Sequence, residues 1–235
     1  NLIGRVRPDA VVAGTPKAGL MGMVAGRLHG VPTRVYVLHG LRLETEHGIK
    51  RQLLSGLERI AAACSTGVVA VSASLRDRAI DSRLVDHQRI SVIGSGSATG
   101  VDTERFHMSV TPAKMAPLGS PVLTSVGRLS PDKGLDLLAE ALRLLAARGI
   151  AGSLLVVGGD DAPESRDLRR SLDVFFWDVL LRGQVSDVAP YLALSDILCL
   201  PSRREGFGTV VIEAAAMGVP TVATRVTGLV DAIVD

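Results

Sequence analysis

Short apolar runs recur along the chain, each nearly continuous and rich in Val, Ile and Leu. They read DAVVAGT (9–15), TRVYVLHG (33–40), TGVVAVS (66–72), RISVIGSG (89–96), PVLTSVGR (121–128), SLLVVGG (153–159), DILCLPS (196–202) and PTVAT (220–224). Gly, Pro or Asp bounds each one. A strand covered on both faces must be apolar without alternation, so these runs predict parallel strands buried in a sheet. Helical periodicity lies between them. Ile49, Leu53, Leu57, Ile60 and Cys64 fall on one stripe, as do Leu135, Leu138, Leu142 and Leu145, with Gly149 placed as a C-terminal cap. Strand and helix in alternation predict an α/β protein built on doubly wound, Rossmann-like parallel sheets.

Periodicity weakens in HMSVTPAKMAPLGSP (107–121), which carries three prolines. A linker is expected there, dividing residues 1–110 from 111–235. Two such sheets are expected to hold ligands at the carboxyl ends of their strands, in a cleft. The chain starts at Asn1 without Met and stops in mid-pattern, so it is expected to be incomplete at both ends.

Composition narrows the classes. Apolar residues make up 47% and charged residues 21%, which places the chain among globular proteins. No apolar run approaches the length a bilayer requires, and no signal-peptide pattern stands at the start. Cys64 and Cys199 are expected as buried free thiols of a reducing compartment, the cytoplasm. Residues 1–106 carry fourteen Lys/Arg against nine Asp/Glu, a balance of +5; residues 107–235 carry twelve against fifteen, a balance of −3. The basic half is a candidate for contact with an anionic lipid surface at the inner face of the cell membrane. Nucleic acid is not an expected partner.

The chemistry concentrates in SRREGFGTVVIEAAAMG (202–218). A helix is expected from Thr209, so the N–H groups of Gly208, Thr209 and Val210 point out of its first turn, where a phosphate can sit. Gly206 and Gly208, on either side of Phe207, let the backbone turn and approach a ligand. Glu213 lies one turn beyond Thr209 on the same face. A carboxylate there suits the hydroxyls of a ribose, and Glu205 would meet the other end of the same ligand. By themselves the two glutamates fit a helix cap and a solvated face equally well. SVGRLSPDKG (125–134) adds Gly127, Arg128 and Lys133 beyond a strand, two cations suited to a diphosphate.

Together VGRLSPDKG and EGFGTVVIEAAAMGVPTVAT resemble the family-four retaining glycosyltransferases of GT-B architecture, in particular those that build capsular and lipid-linked polysaccharides. VYVLHG, VAVSASLRD, GVDTERF, LLVVGG and SDILCLPSRREGFG extend the resemblance over nearly the whole chain. It implies transfer of a sugar from a nucleoside-diphosphate sugar, a UDP-sugar, to a saccharide or lipid-linked acceptor, with retention of configuration. Arg128 and Lys133 would grip the diphosphate, Glu213 the ribose, and Glu205 with Gly206–Gly208 the sugar and phosphate. His39 matches a histidine beside the reaction centre, and RGQV (182–185) the seat of the base. TPKAGLMGMVAG (15–26), with Lys17, resembles the acceptor side. The family's opening strand and glycine-rich loop, and its closing helices, have no counterpart in the chain.

No Asp-x-Asp pair exists in the sequence, and GGDDAP (158–163) reads as a loop, so transfer is expected to need neither metal nor cofactor. Leaving-group charge would fall to Arg128, Lys133 and the helix end at Thr209. GSGSATG (94–100) is misspaced for a dinucleotide fingerprint. Two other readings stand beside transfer: a nucleotide-sugar epimerase of related architecture, and a non-catalytic nucleotide-binding module.

Overall fold

The computed structural model describes residues 2–160, 165–174 and 176–234. The chain forms two compact units that are not contiguous in sequence. The first comprises Asn1–Thr99, Arg204–Gly208 and Val226–Asp235; the second comprises Gly100–Arg203 and Thr209–Arg225.

In the first unit, α1 (Leu2–Val6) precedes β1 (Ala10–Gly14), α2 (Pro16–Leu28), β2 (Thr33–Leu38), α3 (Gly48–Cys64), β3 (Gly67–Ala70), α4 (Ala73–Asp81) and β4 (Ile90–Val92). The four strands are parallel in the order β1-β2-β3-β4, with Val12 opposite Val35 and Val37 opposite Val69. Pro16 opens α2, where its fixed φ and missing N–H cost nothing. Ser72 caps α4 by accepting from the Leu75 N–H.

The second unit contains β5 (Val122–Val126), α5 (Leu135–Ala147), β6 (Gly152–Val157), α6 (Ser165–Ser171), β7 (Trp177–Leu181), α7 (Ala189–Leu192), β8 (Ile197–Leu200), α8 (Thr209–Ala216) and β9 (Thr221–Ala223). Its five parallel strands run β7-β6-β5-β8-β9. The order therefore turns back between β5 and β8, as doubly wound sheets do. All six residues of β6 are buried, and Leu135, Leu138 and Leu142 of α5 are buried in the core with Leu154, Leu168 and Trp177. Burying each such leucine contributes roughly 1.5–3 kcal/mol. At the end of α5, Gly149 donates to the Ala146 carbonyl and Ile150 to that of Leu145, a Schellman closure.

The last helix, α9 (Leu229–Ala232), belongs to the first unit. Ser74 donates to the Asp231 carboxylate and accepts from the Gly228 N–H at 2.8 Å, and Thr227 donates to Glu44 at 2.7 Å.

Eight strands match the eight apolar runs, while β7 answers to no run singled out in the sequence. It lies at the sheet edge, and only Trp177 in it is fully buried. Cys199 is buried and Cys64 only half-buried, and both are free. The stripe on α3 faces outward: Glu58, Ala61 and Ala62 are the residues it buries. No helix among the described residues is long and apolar enough to cross a membrane.

Candidate functional site

In the first unit the segments that follow β2, β3 and β4 meet one loop, Arg204–Gly208. His39 follows β2; its side chain is exposed and its ring lies over Gly14 at the end of β1, 2.6 Å from where a Cβ would stand. Gly206 sits on the His39 backbone so closely that any Cβ would clash with the His39 carbonyl, which is why only glycine fits there. Beyond β3, Ser72 donates to the Gly206 carbonyl at 2.8 Å. Beyond β4, Gly96 approaches the ring of the buried Phe207. Glu205 is half-buried in this loop, and Gly208 has φ 82°. His39, Glu205, Gly206, Phe207 and Gly208 are thus one cluster.

In the second unit the loops after β5 and β8 meet where the strand order reverses, the place at which open α/β sheets bind ligands. Gly127 carries no side chain, and the stem of Lys133 lies across it, 3.3 Å from the position of a Cβ. Arg128 is exposed and Lys133 half-buried. Lys133 ends a short 3-10 turn, Pro131–Lys133, and Gly134 follows in the left-handed region at φ 66°. A Cβ at Gly134 would clash with the Pro201 carbonyl, so the two loops touch there backbone to backbone. They are strapped a second time by Arg203, whose N–H donates to the Asp132 carbonyl at 2.8 Å. Its guanidinium grips the Asp136 carboxylate with two bonds of 2.8 and 2.6 Å, holding that carboxyl below the usual carboxylate range.

Thr209 and Val210, both half-buried, open α8, and Glu213 lies one turn on. Burial pushes the Glu213 carboxyl above its ordinary value; Arg105 opposes the shift and Asp187 adds to it. Arg105 is already engaged, gripping Asp187 at 2.8 and 3.0 Å and stacking over Phe106. Among the described residues the Glu213 carboxylate accepts no hydrogen bond. A half-buried carboxylate in that state is an acceptor ready for hydroxyl donors. The sequence did not single out Arg105 and Asp187: they lie 82 residues apart, and no spacing rule joins them.

RGQV (182–185) follows β7, where Gly158 donates to the Gly183 carbonyl at 2.8 Å. Asp161, Ala162 and Pro163 of GGDDAP lie outside the described residues. Among the described residues no group of three or more His, Cys, Asp or Glu could hold a metal ion. His29, His47, His87 and His107 are exposed.

Residues 120–235 match the family described as glycosyl transferases group 1, and residues 1–96 match the glycosyl transferase 4-like domain. The capsular polysaccharide biosynthesis glycosyltransferase CapM of Staphylococcus aureus is 36% identical over 100% of this chain and 63% of its own length. An Escherichia coli relative, UDP-Gal:alpha-D-GlcNAc-diphosphoundecaprenol alpha-1,3-galactosyltransferase, is 31% identical over 97% of this chain and 60% of its own length. The chain therefore spans about 60% of these curated relatives. Among solved structures, Anabaena Alr3699/HepE in complex with UDP and glucose superposes with a TM-score of 0.77 at 22% identity, over 100% of this chain and 64% of that one. Sucrose-phosphate synthase of Thermosynechococcus elongatus gives 0.76 at 20% identity, over 97% and 59%. These likenesses are of fold, the GT-B type. With a glycosyl transferase 4-like segment followed by a group 1 segment, the chain belongs to the glycosyltransferases.

Proposed function

We propose that this chain serves a retaining glycosyltransferase that moves a sugar from a UDP-sugar to a saccharide or lipid-linked acceptor, and that does so without a metal or cofactor. The observation that carries the reading is the pairing of Arg128 and Lys133 at the strand-order reversal of the second sheet, with the Lys133 stem laid on Gly127. Cleaving a sugar–diphosphate bond leaves negative charge on the departing phosphate. Two cations and the first-turn N–H groups of α8 can neutralise it without a divalent ion. Glu213 takes the ribose hydroxyls, its half-burial strengthening hydrogen bonds there. In the first unit His39, Glu205 and the Gly206–Gly208 loop attend the transferred sugar. The named activity of the E. coli relative supports a UDP-sugar and a diphosphate-linked lipid acceptor. The basic first unit is proposed to contact the membrane that carries such an acceptor, from the cytoplasmic side.

Replacing Glu213 with Ala should weaken UDP binding about tenfold, and Lys133→Ala should slow transfer by about 10²-fold with little change in acceptor KM. Calorimetric titration of UDP and a radiolabelled-sugar transfer assay read the two effects. Indifference to both substitutions would sink the proposal, as would release of the donor's epimer without any acceptor.

A further inference from the structure

An arginine beside a half-buried carboxylate ordinarily pairs with it. Arg105 lies close enough to Glu213 for each charge to bear on the other, yet among the described residues no hydrogen bond joins them. Packing supports the placement independently. The chain beyond Arg105 runs along α8, and the Met108 side chain meets Gly218 just past that helix, 3.4 Å from the position of a Cβ. Two carboxylates thus stand within the influence of one guanidinium, and it bonds Asp187.

That preference is built into the surroundings. The Asp102 carboxylate fixes the turn that presents Arg105, accepting from the N–H groups of Glu104 at 3.0 Å and Arg105 at 3.3 Å. On this turn the guanidinium stacks over Phe106, 5.1 Å from the ring centroid. Its Nε and one terminal nitrogen donate to the same Asp187 oxygen at 3.0 and 2.8 Å, and that terminal nitrogen also reaches the Ser186 carbonyl at 3.3 Å. The Ala189 N–H, at the start of α7, gives the same oxygen a further bond at 3.1 Å. Against its burial, the Asp187 carboxyl is held below its ordinary value by Arg105 and that N–H, so it stays charged. Arg105 and Asp187 are the charges that bear on Glu213, with opposite sign, while Asp102 bears on Arg105.

We propose that Asp187 is a positioning residue: it holds Arg105 aside, so that the Glu213 carboxylate stays open to the hydroxyls of the donor. A charge-assisted bond from arginine is stronger than one from a neutral hydroxyl, so an unrestrained Arg105 would close on Glu213 and the ligand would have to displace it. Any fraction of time spent closed lowers the apparent affinity in proportion. The inference rests on the ribose role proposed above for Glu213.

Asp187→Asn keeps an oxygen to cap Ala189 and removes the charge that holds Arg105. Calorimetric titration of this variant with UDP should show binding about tenfold weaker than wild type, the loss expected if Arg105 closes on Glu213 about nine-tenths of the time. Adding Arg105→Gln should restore the affinity to within about twofold of wild type, because the competitor is gone. An ion pair that merely braced the fold would show no such rescue, since both variants lack it. In the ligand-free protein, carbon-13 NMR should find the Glu213 carboxyl titrating lower in Asp187→Asn and higher in Arg105→Gln: the first loses a charge that raises it, the second a charge that lowers it. A double variant that binds UDP as weakly as Asp187→Asn, or a Glu213 titration that Asp187→Asn leaves in place, overturns the proposal. Should the wild-type protein bind no UDP, the donor assignment fails, and the Glu213 titration by itself decides whether Asp187 restrains Arg105.

Discussion

The two sheets solve the same problem by different means. In the second, the strand order reverses between β5 and β8, and the reversal alone brings the loops bearing Arg128, Lys133 and Arg203 side by side. In the first, the order β1-β2-β3-β4 never reverses, and the segments after β2, β3 and β4 are gathered instead by Arg204–Gly208, more than a hundred residues further along the chain. Topology builds one group of candidate residues, and a chain excursion builds the other. The first kind follows from the order of strands. The second depends on backbone contacts close enough to exclude a side chain.

That contrast can be broken at its contacts. The largest effect is expected at Gly134, where φ is 66° and a Cβ meets the Pro201 carbonyl. Gly134→Val should destabilise the second unit by about 3 kcal/mol or more, read as a lower urea midpoint at unchanged slope. Gly206→Ala forces the excursion off the His39 carbonyl and should cost about 2 kcal/mol. Faster hydrogen exchange confined to residues 39–41, 72 and 204–208 would show that the loop, and not the sheet, has loosened; uniform exchange would contradict the comparison.

Tyr36→Phe comes next, at about 1–2 kcal/mol, because Glu58 is left buried without its donor. Burial raises the Glu58 carboxyl, and the Tyr36 bond partly offsets this. A raised folded-state value means the native protein holds the proton longer than the unfolded chain. The stability tied to Glu58 is then full below its ordinary value and is lost as pH rises through the raised one. Tyr36→Phe removes the offset, so its loss of stability should extend to higher pH, visible as thermal midpoints that diverge from wild type on going from acid to neutral buffer. The smallest effect belongs to Arg203 and Asp136. Both are about half exposed, so their coupling in a double-mutant cycle should be about 0.5–1 kcal/mol and should shrink with salt.

Much of this arrangement could be read from residues alone, and the failures have physical reasons. Continuous Val/Ile/Leu runs marked eight strands because strands buried on both faces leave no polar position. Thr209 was placed at the start of a helix by the glycines before it, and α8 begins there. The edge strand β7 lacks that signature because one face of it meets solvent at Asp178. Periodicity located the α3 stripe but not the side it faces: a period carries no sign, and the sign here is set by Tyr36 reaching Glu58 across 22 residues. Likewise, Glu205 and Glu213 look like two ends of one motif in sequence. Their assignment to different compact units rests on contacts as distant as the 134 residues between Ser72 and Gly206.

The passage of Arg204–Gly208 and Val226–Asp235 into the first unit bears on how the protein can be taken apart. Severing the backbone near residue 99 would not liberate a finished half. The amino-terminal piece would retain its four strands yet forfeit the stopper at their tips and the Asp231 latch on Ser74, while the remainder would carry two orphaned strips of someone else's surface. Proteases or gene-splitting schemes that treat the midpoint as a seam should therefore yield two unstable products.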